Sequence, residues 1–156
     1  MDKEIVKLYI LSHPIIRALF SDGVTKEYDV TMYSPQYPGY EELKNPNFFK
    51  KAKLLSHCTV YFSDEVDIDS NTIYNDGKTV ESEENAYQIL LGYELKEARL
   101  SKFLSQEQLS ELTGIKQGDI SKLEKGLMNP SMKTIKRITD ACGKKLKISI
   151  TPRIKY

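Results

Sequence analysis

One segment of the 156-residue chain, residues 104–130, limits the possible fold more than any other. Its apolar residues recur at intervals that give each of two short helices one buried face, and they are Leu104, Leu109, Leu112, Ile115, Ile120 and Leu123. Ser105 with Gln108 is a capping-box pattern that predicts a helix start, and Gly114 suits a left-handed turn after that helix. The two short helices are therefore expected to share one core.

Helices are also predicted on both sides of this segment. Gly126 should end the second short helix, and Pro130-Ser131 should begin another helix that extends to residue 142. Upstream, residues 95–103 predict one more helix. Ser82 is expected to cap a helix that begins at the next residue and continues into this one.

These features resemble the Cro and phage-repressor type of helix-turn-helix domain, the XRE family, over residues 95–143. The matching positions are Arg99, Ser105-Gln106-Glu107, Gly114, Ile120-Ser121 and Glu124-Lys125-Gly126. The resemblance implies that this part of the chain binds double-stranded DNA. It also implies that Arg99 and Glu124 form a structural ion pair inside the domain and do not contact the DNA.

Helix phase indicates which side chains would meet DNA when Ile120 and Leu123 face the core. The opposite side of the helix carries Lys116, Gln117, Gly118, Ser121 and Lys122. Gln pairs well with adenine and Lys with guanine, so Gln117 and Lys122 are the predicted base contacts. By resemblance, Gln106 would contact a phosphate or a base edge. The residues predicted to bind backbone phosphate are Lys125, Asn129 and Lys133.

Gly118 departs from the family pattern, which has a polar side chain at this position. The glycine costs about 1 kcal/mol of helix stability and removes one possible base contact. The alternative interpretation of the whole face is an ordinary solvated helix surface without a ligand.

Charge is divided unevenly along a chain whose formal net charge is +1. From residue 95 onward there are 14 Lys and Arg against 6 Asp and Glu, a net charge of +8. Residues 1–94 hold 9 Lys and Arg against 16 Asp and Glu, a net charge of −7. A basic carboxyl half and an acidic amino half indicate that only the carboxyl half faces nucleic-acid phosphate.

The amino half has short runs rich in β-branched and aromatic residues. They predict an antiparallel meander over residues 5–11, 15–20 and 24–30. Further predicted elements are a short helix over residues 45–53 capped by Asn45, a hairpin over residues 58–68, a single helical turn over residues 69–74 and a linker over residues 75–84. The expected fold class is α+β, with a small β-rich domain at residues 1–80 and a helix-turn-helix domain with a C-terminal strand at residues 81–156.

The C-terminal strand is predicted from residues 145–151, where polar and apolar residues alternate. A lone strand needs a partner. It could add to the sheet of the amino domain or pair with the same strand of a second chain, and the second arrangement is favoured because a dimer could bind two half-sites of a palindrome.

The amino half also resembles a small bacterial domain of unknown function. The matching stretches are FSDG at residues 20–23, NPNFF at residues 45–49 and DIDSNTIY at residues 67–74. Members of that family occur next to small presumed toxins, and some carry a helix-turn-helix. The resemblance therefore implies an antitoxin-like or regulatory role.

Several classes of function are excluded by the sequence. No apolar run approaches membrane-spanning length and no signal-type leader opens the chain, so a cytoplasmic location without membrane contact is expected. Cys58 and Cys142 are isolated thiols without metal-ligand spacing, and no disulfide, metal or cofactor is predicted. His13 and His57 have no nucleophile motif nearby, so no enzyme activity is expected.

Two groups of residues in the amino half could mark a site. The series Asp64, Glu65, Asp67 and Asp69 superficially resembles a calcium loop but lacks its central Gly and closing Glu, so a solvated turn is preferred. The group Tyr33, Tyr37 and Tyr40 leaves two alternatives open, a partner surface or aromatic packing.

These observations predict a bacterial DNA-binding repressor. In its specific form, the prediction is an antitoxin that represses its own operon as a homodimer on a palindromic operator and binds a cognate toxin. The amino domain could instead sense a small molecule that alters the operator affinity of a transcription factor, or it could be an enzyme tethered to DNA.

Overall fold

The computed structural model describes residues 2–33, 35, 37–150 and 152. The chain divides into two compact units, Met1–Glu83 and Glu84–Lys155, which we call the amino unit and the carboxyl unit. Strands with short helices form the amino unit, and helices form the carboxyl unit. The α+β fold class predicted from the sequence is therefore confirmed.

Two antiparallel sheets form the amino unit. Its described strands are β1 (Ile5–Ile10), β2 (Ile15–Phe20), β3 (Thr25–Asp29), β4 (Lys53–Ser56), β5 (Thr59–Ser63), β6 (Val66–Asp69) and β7 (Lys78–Val80). The first sheet has the order β1-β2-β3-β7, and the second has the order β4-β5-β6. The predicted meander and the predicted hairpin are confirmed, because β1 to β3 pair consecutively and β5 pairs with β6.

The two short helices of the amino unit begin at residues whose side chains cap them. In α1 (Pro46–Phe49), the Asn45 side chain accepts a hydrogen bond from the backbone N–H of Asn47 at 2.9 Å. In α2 (Ser70–Asp76), the Asp69 carboxylate accepts from the backbone N–H groups of Asn71 and Thr72. Each cap satisfies helix-terminal donors that would otherwise have no partner.

Buried side chains from both sheets form one core. Ile5 and Phe20 come from the first sheet, and Val60 and Ile68 come from the second, and all four are fully buried. Burying a side chain of this size contributes about 1.5–3 kcal/mol relative to leaving it exposed. Because the buried side chains of both sheets belong to one cluster, the shared core holds the two sheets together.

Two predictions for the amino unit are wrong. The helix predicted over residues 45–53 ends at Phe49, and Lys53 begins β4, which pairs with β5. The predicted linker contains β7, which pairs with β3. Both strands are short, with four and three residues, so neither shows the longer alternation that identifies a strand, and their ladder partners determine their conformation.

Four helices form the described part of the carboxyl unit, and they are α3 (Ala86–Leu100), α4 (Gln106–Thr113), α5 (Gln117–Glu124) and α6 (Met132–Ala141). The long upstream helix is confirmed as α3, but it begins after Asn85 and not after Ser82. The Ser82 hydroxyl is hydrogen-bonded to the Thr25 hydroxyl at 2.7 Å, so it belongs to the amino unit and caps nothing.

The other predicted turns and caps of the carboxyl unit are present. The Ser105 hydroxyl accepts from the backbone N–H of Gln108 at 3.0 Å, and the Gln108 side chain accepts from the backbone N–H of Ser105 at 2.8 Å. Gly114 ends α4 with a φ of 70°, which a side chain would disfavour. The Ser131 hydroxyl caps α6. Helix α4 and helix α6 therefore start and stop for local chemical reasons.

The core of the carboxyl unit confirms most of the predicted apolar face. Its buried members are Leu95, Leu109, Ile120, Leu123, Ile135, Ile138 and Cys142, with Leu104 and Ile115 packed against them. Leu112 was predicted to be buried, but 63% of it is exposed. Leu109 and Thr113, four residues apart, form the inward line of α4, and Leu112 lies on its flank.

The predicted C-terminal strand is not formed by residues 144–150, the part of the segment that the structure describes. Residues 144–150 have no strand ladder, and Thr151 lies outside the described residues. Leu146 packs against the core, whereas Ile148 and Ile150 are 64% and 96% exposed. Alternation along a sequence shows which side chains share a face, but a strand forms only where a neighbouring backbone offers hydrogen bonds.

A close approach of α3 to α5 depends on Gly92. A Cβ at this position would overlap the carbonyl oxygen of Leu123 and would lie 2.9 Å from that of Glu124. The absence of a side chain therefore allows the two backbones to touch.

We expect Gly92→Ala to lower the free energy of unfolding of the carboxyl unit by about 2 kcal/mol, because the added methyl group pushes α3 away from α5. Gly118→Ala is the matched control, since a Cβ there meets nothing within 4 Å. The control should raise the free energy of unfolding by about 1 kcal/mol. Urea unfolding followed by far-ultraviolet circular dichroism measures both variants, and equal stabilities would contradict the close packing.

Candidate nucleic-acid interface

The exposed side of α5 carries the side chains predicted to meet DNA. We use the name α5 face for this side together with the N-cap residue Lys116, so that it comprises Lys116, Gln117, Gly118, Ser121 and Lys122. On the opposite side of the helix, Ile120 and Leu123 are 1% and 3% exposed. Ser121 is half-buried, and the other four residues of the face are exposed. The buried side anchors the helix, so the α5 face is held in place without using its own polar groups.

A chain of hydrogen bonds connects the α5 face to α4. The Gln117 side-chain amide donates to Gln106 Oε1 at 2.7 Å, and Gln106 Nε2 donates to Glu124 Oε2 at 2.9 Å. Gln106 can satisfy both partners in only one amide orientation, since its oxygen must face Gln117 and its nitrogen must face Glu124. Gln117 is thereby held at the start of α5, and within the described residues its Oε1 accepts no hydrogen bond.

The hydrogen-bond chain ends at a buried ion pair. Arg99 donates through Nε to Glu124 Oε1 at 2.6 Å and through Nη2 to Glu124 Oε2 at 2.9 Å. Its Nη1 donates to the carbonyl oxygen of Leu104 at 2.6 Å. The hydrogen bonds to Glu124 raise the pKa of Arg99, so the guanidinium stays charged. The pair ties α3 to the end of α5 and to the turn before α4.

The residues predicted to bind phosphate follow the α5 face along the chain. Lys125 ends α5, Asn129 lies in the loop that follows, and Lys133 lies in the first turn of α6, and all three are exposed. Over the described residues, Lys116, Lys122, Lys125 and Lys133 form no ion pair with an acidic side chain. Their ammonium groups are therefore available to an anionic ligand.

The histidines considered as catalytic groups serve the fold of the amino unit. His13 Nε2 is 3.0 Å from the carbonyl oxygen of Leu43, and its ring packs edge-on against Phe49. His57 Nδ1 is 2.9 Å from the carbonyl oxygen of Ile5. In the part of the chain that the structure describes, no three His, Cys, Asp or Glu side chains are grouped as metal ligands. No described helix is both long and apolar enough to cross a membrane.

Acidic residues and tyrosines of the amino unit form hydrogen bonds and ring contacts within that unit. The Tyr61 hydroxyl donates to Asp64 at 2.7 Å, and Asp69 caps α2. The Tyr33 and Tyr37 rings stack with their centroids 4.7 Å apart, and burial raises the pKa of Tyr33 to about 12. Tyr37 is 45% exposed. Packing explains the stacked rings, and a partner surface at this group stays a prediction.

Two features of the carboxyl unit were not foreseen from the sequence. The bond from Gln106 to Glu124 joins residues 18 positions apart, and no local pattern signals it. Phe103 has a φ of 56°, which favours glycine, and is 95% exposed. The positive φ is a consequence of the tight turn between α3 and α4, but nothing in this unit explains the exposed aromatic side chain.

Comparison with known proteins agrees with this geometry. The helix-turn-helix family matches residues 95–148. An uncharacterized HTH-type transcriptional regulator of Haemophilus influenzae is 37% identical over 68 residues, which cover 44% of this chain and 69% of that protein. The crystal structure of NE0471 from Nitrosomonas europaea aligns with 90% of this chain and 84% of its own at 17% identity, with a TM-score of 0.40.

The chain belongs to the XRE-type helix-turn-helix family of DNA-binding transcriptional regulators. The matched residues include all of α4, α5 and α6, the last turns of α3, and every residue of the α5 face.

We expect Arg99→Met to lower the free energy of unfolding of the carboxyl unit by about 3–5 kcal/mol, because it leaves the buried Glu124 carboxylate without its positively charged partner. Replacing both residues with Met should restore most of this loss. The exposed pair between Lys136 and Asp140 provides the control, and Lys136→Met should cost less than about 0.5 kcal/mol. Urea unfolding of the three proteins gives the values, and an Arg99 variant as stable as the Lys136 variant would contradict the assignment.

Proposed function

We propose that this protein is a transcriptional repressor whose α5 face binds a specific operator in the major groove. The observation that carries the proposal is the hydrogen bond between Gln117 and Gln106 at the start of α5. It holds the Gln117 amide in one position, with its oxygen and one N–H left for a second partner. That pair of groups matches the exposed edge of adenine, and Lys122 on the same face matches the acceptors of guanine.

Electrostatics supports phosphate contacts beside these base contacts. Residues 95–156 carry a net charge of +8, with 14 basic residues against 6 acidic residues. Lys125, Asn129 and Lys133 would contact the DNA backbone next to the groove that α5 enters. Each phosphate neutralised releases counterions, so operator affinity should fall steeply with salt concentration.

The functional form would be a homodimer on a palindromic operator. Two α5 helices about 34 Å apart could enter successive major grooves on one side of the duplex. The exposed pair Ile148 and Ile150 supports this form, because both side chains follow Leu146 at the two-residue period of a strand. Pairing of this segment with the same segment of a second chain would bury both isoleucines. The bound dimer would repress by covering the promoter.

The amino unit would bind a cognate toxin, which makes the protein an antitoxin that represses its own operon. The resemblance of this unit to domains encoded beside small presumed toxins supports the proposal. Its charge also supports it, because residues 1–83 hold 9 Lys and Arg against 14 Asp and Glu, a net charge of −5 that would attract a basic partner. A small molecule is the alternative ligand of this unit, in which case the protein would be a sensor-type transcription factor.

We expect Gln117→Ala with Lys122→Ala to reduce affinity for the operator by about 100-fold, since each base contact contributes about 1–3 kcal/mol of discrimination. The operator is a duplex that the unaltered protein selects from a random library, and fluorescence anisotropy gives its Kd. The melting temperature should hardly change because both side chains are exposed. Lys96→Ala, an exposed lysine of α3, is the control. Unaltered operator affinity in the double variant would contradict the assignment of the α5 face as the DNA-binding surface.

We expect Ile148→Asp with Ile150→Asp to convert a dimer into a monomer, because two charges would be buried in the pairing segment. Light scattering after size-exclusion chromatography measures the molar mass of the unaltered protein and of each variant. Ser149→Asp adds a charge to the opposite side of the same segment and should leave the dimer intact. A dimeric double variant would show that the contact between chains lies elsewhere.

The partner of the amino unit can be tested by co-purification. The full chain, produced with the product of the adjoining reading frame, should retain a small basic protein through size exclusion. If no such protein binds and a metabolite raises the melting temperature instead, the sensor alternative replaces the antitoxin.

A further inference from the structure

Gly118 is the residue of the α5 face that the fold does not explain. A glycine within a helix costs about 1 kcal/mol relative to alanine. It is usually required where the backbone has a positive φ or where another atom comes close. The other described glycines of the carboxyl unit meet one of these conditions. Gly92 touches the backbone of α5, and Gly114, Gly126 and Gly143 have φ values of 70°, 68° and 65°.

Gly118 meets neither condition. Its φ lies outside the left-handed region, and a Cβ built on it would meet no atom within 4 Å. It is the second residue of α5 and it is exposed. An alanine would therefore fit without strain and would stabilise the helix, so the reason for a glycine must lie outside the folded chain.

The position of Gly118 indicates what that reason is. Gln117 precedes it, and Lys122 lies one turn further along the same side of α5. Both neighbours carry long polar side chains that would reach base edges. Between them the helix backbone itself is uncovered, at the part of the α5 face that would come nearest to the DNA.

We propose that Gly118 determines specificity by letting the backbone of α5 lie directly against the base pairs of the operator. The inference rests on the proposed function and adds to it the depth at which α5 enters the groove. A side chain at this position would fill the space between helix and base pairs and hold α5 further out. Gln117 and Lys122 would then reach their acceptors and donors only at longer distances, and discrimination between operators would be lost.

The test compares stability with affinity in the full-length chain carrying Gly118→Ala, Gly118→Ser or Gly118→Gln. Gly118→Ala should raise the melting temperature by about 3 °C, because it removes the cost of the glycine. The same variant should raise the Kd for the duplex that the unaltered protein selects by about tenfold, which is the effect of overpacking by one methyl group. Serine and glutamine should raise the Kd further, in order of side-chain size.

A duplex lacking the selected site is the matched control. Binding to such DNA depends on phosphate contacts, so all three variants should bind it with a Kd within about twofold of the unaltered protein. A loss of affinity confined to the selected duplex, in a variant that melts at a higher temperature, excludes misfolding as the cause.

The outcomes separate this inference from the proposed function. One outcome is that the unaltered protein selects a duplex that the Gly118→Ala or Gly118→Gln variant binds with the same Kd as the unaltered protein. That result overturns the inference about Gly118 and leaves the proposed function standing. If the unaltered protein selects no duplex, the proposed function fails and the inference fails with it.

Discussion

The buried ion pair between Arg99 and Glu124 is the interaction on which the rest of the carboxyl unit depends. Burying two charges is unfavourable unless every polar atom of the pair has a partner. Here the guanidinium contacts both carboxylate oxygens and also the carbonyl oxygen of Leu104. The same carboxylate accepts from Gln106 and so orients the amide that holds Gln117. The stability of the unit and the placement of a proposed base contact therefore depend on one side chain.

Close packing of backbones complements this ion pair. Gly92 allows α3 to touch the end of α5, and Gly126, after α5, lies against the backbone of Ile89 on α3. These contacts leave little freedom in the direction of α5, because a shift would separate the ion pair and open the core around Leu123 at the same time. A rigid scaffold of this kind keeps exposed polar side chains in a defined arrangement, as recognition of a rigid duplex requires.

The extent to which the sequence was informative differs between the two units for a physical reason. Helix starts at Ser105 and Ser131 and the turn at Gly114 depend on neighbouring residues, so local chemistry was sufficient to predict them. Strand β7 was missed because its partner β3 is distant in the sequence, and β4 was missed because it is only a short strand in a local hairpin with β5. Leu112 shows a second limit, since an apolar residue at helical spacing was placed in the core although it lies on the flank of α4.

The sequence indicated which residues form the candidate site but not the hydrogen bonds that connect them. Helix phase alone placed Gln117, Gly118 and Lys122 on the side opposite the core. By resemblance, Arg99 and Glu124 were expected to pair. No feature of the sequence showed that Gln106 connects that pair to Gln117, since the four residues lie on three helices and meet only after these have packed.

The sequence by itself determined the starts of α4 and α6, the turn after α4, the apolar face of α5 and the separation of charge between the two halves of the chain, because each depends on residue type and spacing. Only the tertiary structure decided that Gln106 has one amide orientation, that Gly92 is a contact and that Gly118 is not. These properties depend on distances between atoms far apart in the chain, and such distances exist only once the core has formed.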